Sequence, residues 1–195
     1  LPPDYKGNRY WVMFIEHNLE KKYLFLMKRK NHVSRALIKL IKELMKDGRR
    51  PRVLYSDQAP EYFDEVMGDV LEKHSIRSEK FMTYTKNGNI VEPANGEIAD
   101  KATAQMRQGC APLESWGAAA LDAASISNDC VKTKSSNLLL RQFTPNQLWN
   151  ADNNLVSKAI EQVHNDPSKF DVASFALKLD KPNLHYRRVF WSRAT

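Results

Sequence analysis

Apolar residues alternate between two periods along the first half of the chain, and this alternation constrains the fold more than any other feature. Residues 9–15 and 22–28 are short aromatic and β-branched runs separated by polar residues, which predicts a β-hairpin. From residue 31 onward, apolar side chains recur at three and four positions until Gly48. This spacing predicts an amphipathic helix that stops at the glycine.

The alternation continues after the glycine. Residues 52–56 have the pattern of a short buried strand, and residues 63–71 have that of a second helix. Residues 80–84 are strand-like, and a further helix is predicted from about residue 90 to residue 107. A β-β-α-β-α order of this kind predicts an α/β architecture with some parallel strand pairing.

The second half of the chain is predicted to be helical. Residues 145–149 and 155–163 have helical patterns, and an earlier helix would bury one apolar face rich in small residues: Leu113, Trp116, Ala119, Ala120, Ala123 and Ile126. We predict a core domain over residues 1–110, a helical continuation over 111–165, and a basic, aromatic tail over 166–195. In that tail, residues 187–193 interleave cations with aromatic rings, which suits either phosphate contact with base stacking or docking on a partner protein.

Charge is distributed unevenly along the sequence. The chain has 30 Lys and Arg residues against 23 Asp and Glu, a formal charge of +7. Residues 1–56 hold 14 basic and 5 acidic side chains, whereas residues 57–100 hold 4 and 10. Basic flanks can hold a polyphosphate and clustered carboxylates can hold a divalent metal, so nucleic-acid chemistry is one hypothesis, although charge alone favours a less specific explanation. A solvated charged surface is the alternative explanation.

Two classes of protein lose support from composition. The longest apolar run, residues 11–15, is far shorter than the ~20 residues that a membrane-spanning helix needs. Cys110 and Cys130 are too few for a disulfide framework and lack the spacing of a zinc site. We therefore expect no membrane span and an intracellular location, with the nucleus and an organelle such as the mitochondrion both open.

Two carboxylates stand where a metal could bind. Asp57 follows the predicted buried strand, and Glu92 opens a predicted helix after a polar loop. If they converge, they could share a divalent ion that activates a water or hydroxyl for displacement at phosphorus. Acidic residues are also common at strand ends and helix N-termini, so a capping role is the alternative.

Six segments, taken in order, resemble the integrase core of copia-type retrotransposons. Residues 7–15 and 22–28 resemble two successive strands of that core, and Leu54-Tyr-Ser-Asp57 and Ile90-Val91-Glu92 resemble the segments that carry its second and third catalytic carboxylates. Leu113-Glu-Ser-Trp116 and Thr144-Pro-Asn-Gln-Leu-Trp149 match landmarks downstream. The resemblance covers residues 1–150. It implies a ribonuclease-H-like mixed sheet flanked by helices, with a helical C-terminal extension.

The departures from that family bear on activity. The first catalytic Asp of the family ends a central strand that would fall just upstream of Leu1, between residues 9–15 and 52–56 in the sheet. We expect another segment to fill this position, either residues 1–6 or a strand from another chain or upstream fragment. Pro60 and Pro93 replace residues that are flexible or basic in the family, and a proline would stiffen a moving loop. Without the first Asp, the two-metal site is incomplete.

The resemblance therefore implies a domesticated, catalytically inactive integrase core, a pseudoenzyme, that acts as a nucleic-acid-binding or structural subunit of a larger assembly. An active metal-dependent DNA strand transferase, whose first Asp lies upstream, is the alternative. Ribonuclease activity on RNA is a third possibility that needs the same carboxylate.

The candidate site residues follow from the resemblance and the charge pattern together. Asp57 and Glu92 form the vestigial catalytic pair, with Mg²⁺ bound weakly or not at all. The predicted contacts to DNA or RNA are Arg35, Lys39, Lys42, Lys46, Arg49, Arg50, Arg187 and Arg188. The other expected partners are protein chains, one of which supplies a strand to the sheet.

Overall fold

A computed structural model describes residues 2–56, 65–80, 90–133, 135 and 137–179. The strands are β1 (Tyr10–Ile15), β2 (Lys22–Met27), β3 (Val53–Ser56) and β4 (Arg77–Lys80). The helices are α1 (Val33–Lys46), α2 (Glu65–Lys73), α3 (Val91–Gln108), α4 (Trp116–Asn128), α5 (Pro145–Asn150), α6 (Asn153–Asn165) and α7 (Val172–Ala176). The predicted α/β order is confirmed.

The predicted hairpin is present. β1 and β2 pair antiparallel, with Tyr10 opposite Met27 and Phe14 opposite Tyr23. The Glu16 carboxylate closes the turn by accepting hydrogen bonds from the backbone N–H groups of Asn18 and Leu19, at 3.2 and 2.7 Å. This side chain therefore stabilises the chain reversal that the polar residues predicted.

Helices cover both faces of the hairpin. Val12, Phe14 and Phe25 pack into a hydrophobic cluster with α1, whereas Met13 and Leu24 pack into a second cluster with α3 and α4. Successive side chains of a strand point to opposite faces, so this alternation buries the hairpin on both sides. The result is a three-layer arrangement of helix, sheet and helix.

β3 and β4 form a separate parallel pair, in which Val53 lies opposite Arg77 and Ser56 opposite Lys80. Strand β4 begins three residues before the predicted strand over 80–84, and residues 81–84 lie outside the described part of the chain. The described residues contain no ladder between β1 and β3. The central position between these strands thus remains open in the described structure.

Residues 2–8 dock away from that central position, at the start of α4. The Trp116 indole N–H donates to the Pro2 carbonyl oxygen at 2.8 Å, and the Tyr5 N–H donates to the Glu114 carbonyl oxygen at 3.2 Å. The buried Asp4 carboxylate accepts hydrogen bonds from Lys6 and Asn8, which close the segment into a turn. The expectation that residues 1–6 supply the central strand is therefore wrong for residues 2–6.

The C-terminal helices complete the core. Thr144 and Gln147 form a capping box at the start of α5, and Leu148 and Trp149 are buried in the same cluster as α1. Leu113 was predicted to be buried, but its side chain is 58% exposed. It belongs to a separate 3-10 turn, Leu113–Ser115, and so lies off the buried face of α4. Within the described residues, no helix is long and apolar enough to cross a membrane.

Candidate functional site

A groove of about 630 Å³ lies between the two sheets. One wall comes from the end of β1 and the opposite wall from β3, while Leu37, Leu40 and Leu44 of α1 contribute apolar side chains. The volume is within the range of ligand-binding clefts. The sequence did not predict this groove, because its walls come from segments far apart in the chain.

Cations and aromatic rings lie at one end of the groove. The Arg49 guanidinium stacks on the Trp149 ring at 3.7 Å and donates to the Trp149 carbonyl oxygen at 2.7 Å. The Lys21 ammonium lies 4.6 Å from the centre of the same ring, and burial, opposed in part by the charge of Asp47, lowers the pKa of Lys21 to about 8. Arg49, predicted to contact nucleic acid, is thus engaged in an internal cation–π contact. Arg50 and Arg52 also line the groove and are exposed.

The structure describes one of the two candidate catalytic carboxylates. Glu92 is exposed in the first turn of α3, where a carboxylate interacts favourably with the helix dipole. Asp57 lies outside the described residues. Tyr55 of β3, two residues before Asp57, lines the groove. Ile90 and Val91, which directly precede Glu92, line the same groove. The described residues before Asp57 and those before Glu92 therefore line the same groove.

The described residues do not by themselves form a metal site. They contain no group of three or more His, Cys, Asp or Glu side chains that could hold an ion. Mg²⁺ requires well-placed oxygen ligands, and Glu92 supplies the only candidate carboxylate that the structure describes. Pro93 lies in the first turn of α3 and not in a loop. In that turn, the missing N–H of a proline costs no helical hydrogen bond.

The outer face of α1 is strongly basic. Its buried face is formed by Val33, Leu37, Leu40, Ile41 and Leu44, as the apolar spacing predicted. The opposite face exposes four cations, Arg35, Lys39, Lys42 and Lys46. Glu43 is the single carboxylate of the helix, and none of the four cations forms an ion pair within the described structure. Arg187 and Arg188 lie outside the described residues.

A second charged cluster was not predicted from the sequence. The Lys22 ammonium, 3% exposed, lies 3.1 Å from the Glu97 carboxylate and donates to the Ser127 hydroxyl at 2.8 Å. Lys101 and Lys132 approach the same carboxylate at 2.6 and 3.5 Å. Lys22 lies on the same strand face as the buried Leu24. A lysine at such an inward position rarely stays unpaired, so it was the one sequence feature that indicated this cluster.

The architecture is that of a layered α/β protein. Comparisons with known proteins show which fold it shares. No family model matches the chain. A retrovirus-related Pol polyprotein from transposon TNT 1-94 of Nicotiana tabacum is 28% identical over 145 residues, covering 73% of this chain and 10% of that protein. The chain therefore spans about a tenth of the length of this relative.

Solved integrase structures share the fold. A chain of a simian T-cell lymphotropic virus intasome, in complex with PP2A regulatory subunit B56 gamma, gives a TM-score of 0.58 at 18% identity, covering 73% of this chain and 49% of that one. The HTLV-2 integrase catalytic core domain in complex with magnesium gives 0.54 at 14% identity, covering 74% and 87%. The predicted resemblance to an integrase core of retrotransposon type, with a ribonuclease-H-like fold, is confirmed.

Proposed function

We propose that this chain is a nucleic-acid-binding integrase core that has lost catalysis and serves as a subunit of a larger assembly. The single observation that carries the proposal is the exposed set of four cations on α1, which lacks ion-paired carboxylates in the described structure. One helical face that presents four positive charges can follow a phosphate backbone. Similarity to a Pol polyprotein and to an intasome chain supports the same role.

Salt dependence and charge reversal test this binding. We expect the chain to bind a duplex of mixed sequence at about 50 mM salt and to lose most of that affinity by about 200 mM, because binding releases counterions from phosphates. Reversal of Lys39, Lys42 and Lys46 to Glu should abolish binding. Reversal of Lys73, Lys158 and Lys178, three exposed lysines outside α1, provides the matched control. Undetectable binding at low salt would exclude this function.

The proposed loss of catalysis has a separate test. Asp57 and Glu92 are two carboxylates where the two-metal site of the resembled family uses three, so we expect Mg²⁺ to bind in the millimolar range or not at all. Titration with paramagnetic Mn²⁺ measures this directly. Micromolar affinity that is lost in Asp57→Asn and Glu92→Gln, together with strand transfer by the longest natural form of the chain, would instead support an active integrase.

The groove between the two sheets also favours a structural role, in which the chain accepts a strand from elsewhere. In an antiparallel ladder, N–H groups point alternately to the two edges of a strand. The Glu16 N–H donates to the Lys21 carbonyl oxygen at 2.9 Å, so the N–H groups of Met13 and Ile15 face the groove. Since helices cover both sheet faces, an inserted strand would need apolar side chains on both sides. We propose that such a strand, from another chain or an upstream segment, occupies the groove between β1 and β3.

Hydrogen exchange can detect this strand. The N–H groups of Met13 and Ile15 should exchange slowly in the intact assembly and faster in the isolated chain, because no described residue of the chain supplies their acceptors. The Phe14 N–H faces β2 and should be protected in both states, which makes it an internal control. Equally fast exchange of Met13 and Ile15 in both states would contradict strand insertion.

A further inference from the structure

Three lysine side chains from separate parts of the chain converge on one carboxylate at the end of the hairpin. Lys22 comes from β2, Lys101 from α3 and Lys132 from the segment after α4. Their ammonium nitrogens lie 3.1, 2.6 and 3.5 Å from the Glu97 carboxylate oxygens. Ser127 lies at the centre of the group, where its hydroxyl donates to Glu97 at 2.7 Å.

This cluster carries more positive charge than its carboxylate neutralises. Lys22 and Lys132 donate to the same Ser127 hydroxyl, at 2.8 and 2.6 Å, so two ammonium groups lie close together. Burial and the neighbouring Lys22 lower the pKa of Lys132 to about 8, against the opposing charge of Glu97. Bringing an anion to the cluster would reduce this repulsion.

The cluster also has hydrogen-bonding capacity to spare. Each ammonium group has three N–H donors. Within the described residues, Lys22 and Lys132 each use two of them, on Ser127 and Glu97, and Lys101 uses one. The side chain of Lys101 is 37% exposed and that of Glu97 is 35% exposed, so the cluster opens to solvent on the α3 side.

We propose that Lys22, Lys101 and Lys132 form a binding site for a phosphate group, with Lys101 and Lys132 as the direct contacts. The phosphate can belong to a nucleic-acid backbone or to a small phosphate such as pyrophosphate, since both present the same oxygen acceptors. Lys22 shares a strand face with Leu24, towards α3 and α4, whereas α1 covers the other face of the hairpin. The site is therefore separate from the basic surface of α1 and does not depend on its function.

Titration with pyrophosphate tests the site. At neutral pH, pyrophosphate should raise the midpoint of thermal unfolding more than sodium chloride of equal ionic strength, and it should shift the NMR signals of the Lys101 and Lys132 side chains. Lys101→Met and Lys132→Met should each weaken binding about tenfold or more. Lys158→Met, an exposed charge removal on α6, should leave it unchanged. Equal stabilisation by chloride, or unchanged binding in both variants, would overturn the proposal.

Two further comparisons identify the source of the phosphate and keep the site distinct from α1. A short DNA duplex that displaces pyrophosphate would identify a backbone phosphate as a ligand, whereas pyrophosphate binding that DNA does not disturb would identify a small phosphate. Charge reversal at Lys39, Lys42 and Lys46 should leave pyrophosphate binding intact. If those reversals abolish it in a folded protein, the anion binds at α1 and the assignment to the lysine cluster is wrong. Because Lys101 is partly exposed, its variant is expected to fold even if Lys132→Met does not.

Discussion

The two helical layers that enclose the hairpin are packed in opposite ways. The cluster on the α1 side is built from large side chains, among them Ile41, Leu140 and Leu148, and α1 also lines the groove between the sheets. The cluster on the α3 and α4 side is built largely from alanines, with Gly117 against the hairpin. We therefore expect substitutions that remove side-chain atoms to destabilise the protein most in the α1 layer. Substitutions that add atoms should destabilise it most in the α3 and α4 layer.

The largest expected effect is the removal of a large side chain from the α1 layer. Ile41 is 1% exposed, so Ile41→Ala should lower the free energy of unfolding by about 2–5 kcal/mol, because the cavity adds to the lost burial. Urea denaturation measures the change. Ile38→Ala, on the half-buried side of the same helix, is the control and should cost less. If both variants lose the same stability, the α1 layer relaxes around the cavity. This layer would then not be more sensitive to the loss of atoms than the α3 and α4 layer.

Adding one methyl group to the opposite layer should have a smaller effect. In Gly117→Ala, the new Cβ would contact the Asp4 carboxylate and lie 2.9 Å from Leu26 Cδ1. We expect a loss of about 1–3 kcal/mol, measured in the same denaturation experiment.

Gly96→Ala on α3 is the matched control for that methyl addition. Its Cβ would meet no described atom within 4 Å, so the better helix propensity of alanine should stabilise the protein by about 0.5–1 kcal/mol. A loss at Gly96 similar to that at Gly117 would show that the cost does not come from close packing, and the comparison between the layers would fail.

Local patterns predicted most of the helices and strands, because the apolar period of each segment depends on neighbours in the sequence. The strand predicted over residues 80–84 begins three residues earlier in the structure, as β4. The sequence did not indicate this start, because Arg77-Ser-Glu-Lys80 contains no apolar side chain. The strand is defined instead by its parallel pairing with β3, a contact between distant segments.

The candidate site was less predictable than the fold. The exposed cations of α1 follow directly from helical spacing, so four of the predicted contacts lie on one surface. Arg49 does not belong to that surface, because its stacking on Trp149 joins residues 100 positions apart. The groove and the lysine cluster also arise from tertiary packing, and sequence spacing alone carries no information on such contacts. The proximity of Asp57 and Glu92 stays a prediction.

The smallest expected effect is on the pH dependence of the free energy of unfolding, through Glu97 in the α3 and α4 layer. Partial burial alone would raise the pKa of Glu97, but hydrogen bonds from Lys101 and Ser127 and the charges of Lys22 and Lys132 hold it well below its usual range. A carboxylate with a lowered pKa in the folded state stabilises the protein above its unfolded pKa. This contribution is lost progressively as the pH falls from about 4.5 towards the lowered pKa of the folded state. Since Glu97 is 35% exposed, solvent screening should limit the effect to about 0.2–1 kcal/mol.

Urea denaturation between neutral pH and about pH 3 can measure this contribution. Glu97→Gln should reduce the loss of stability on acidification without removing it, because hydrogen bonds from Asn8 and Lys6 lower the pKa of Asp4 against the opposing effect of its burial. Asp4→Asn should remove a separate part of the acid dependence, since Asp4 and Glu97 share no hydrogen-bond partner in the described structure. If Glu97→Gln leaves the acid dependence unchanged, the lysine cluster does not depend on a charged Glu97. The stability of the α3 and α4 layer would then come from its close alanine packing rather than from the charge of Glu97.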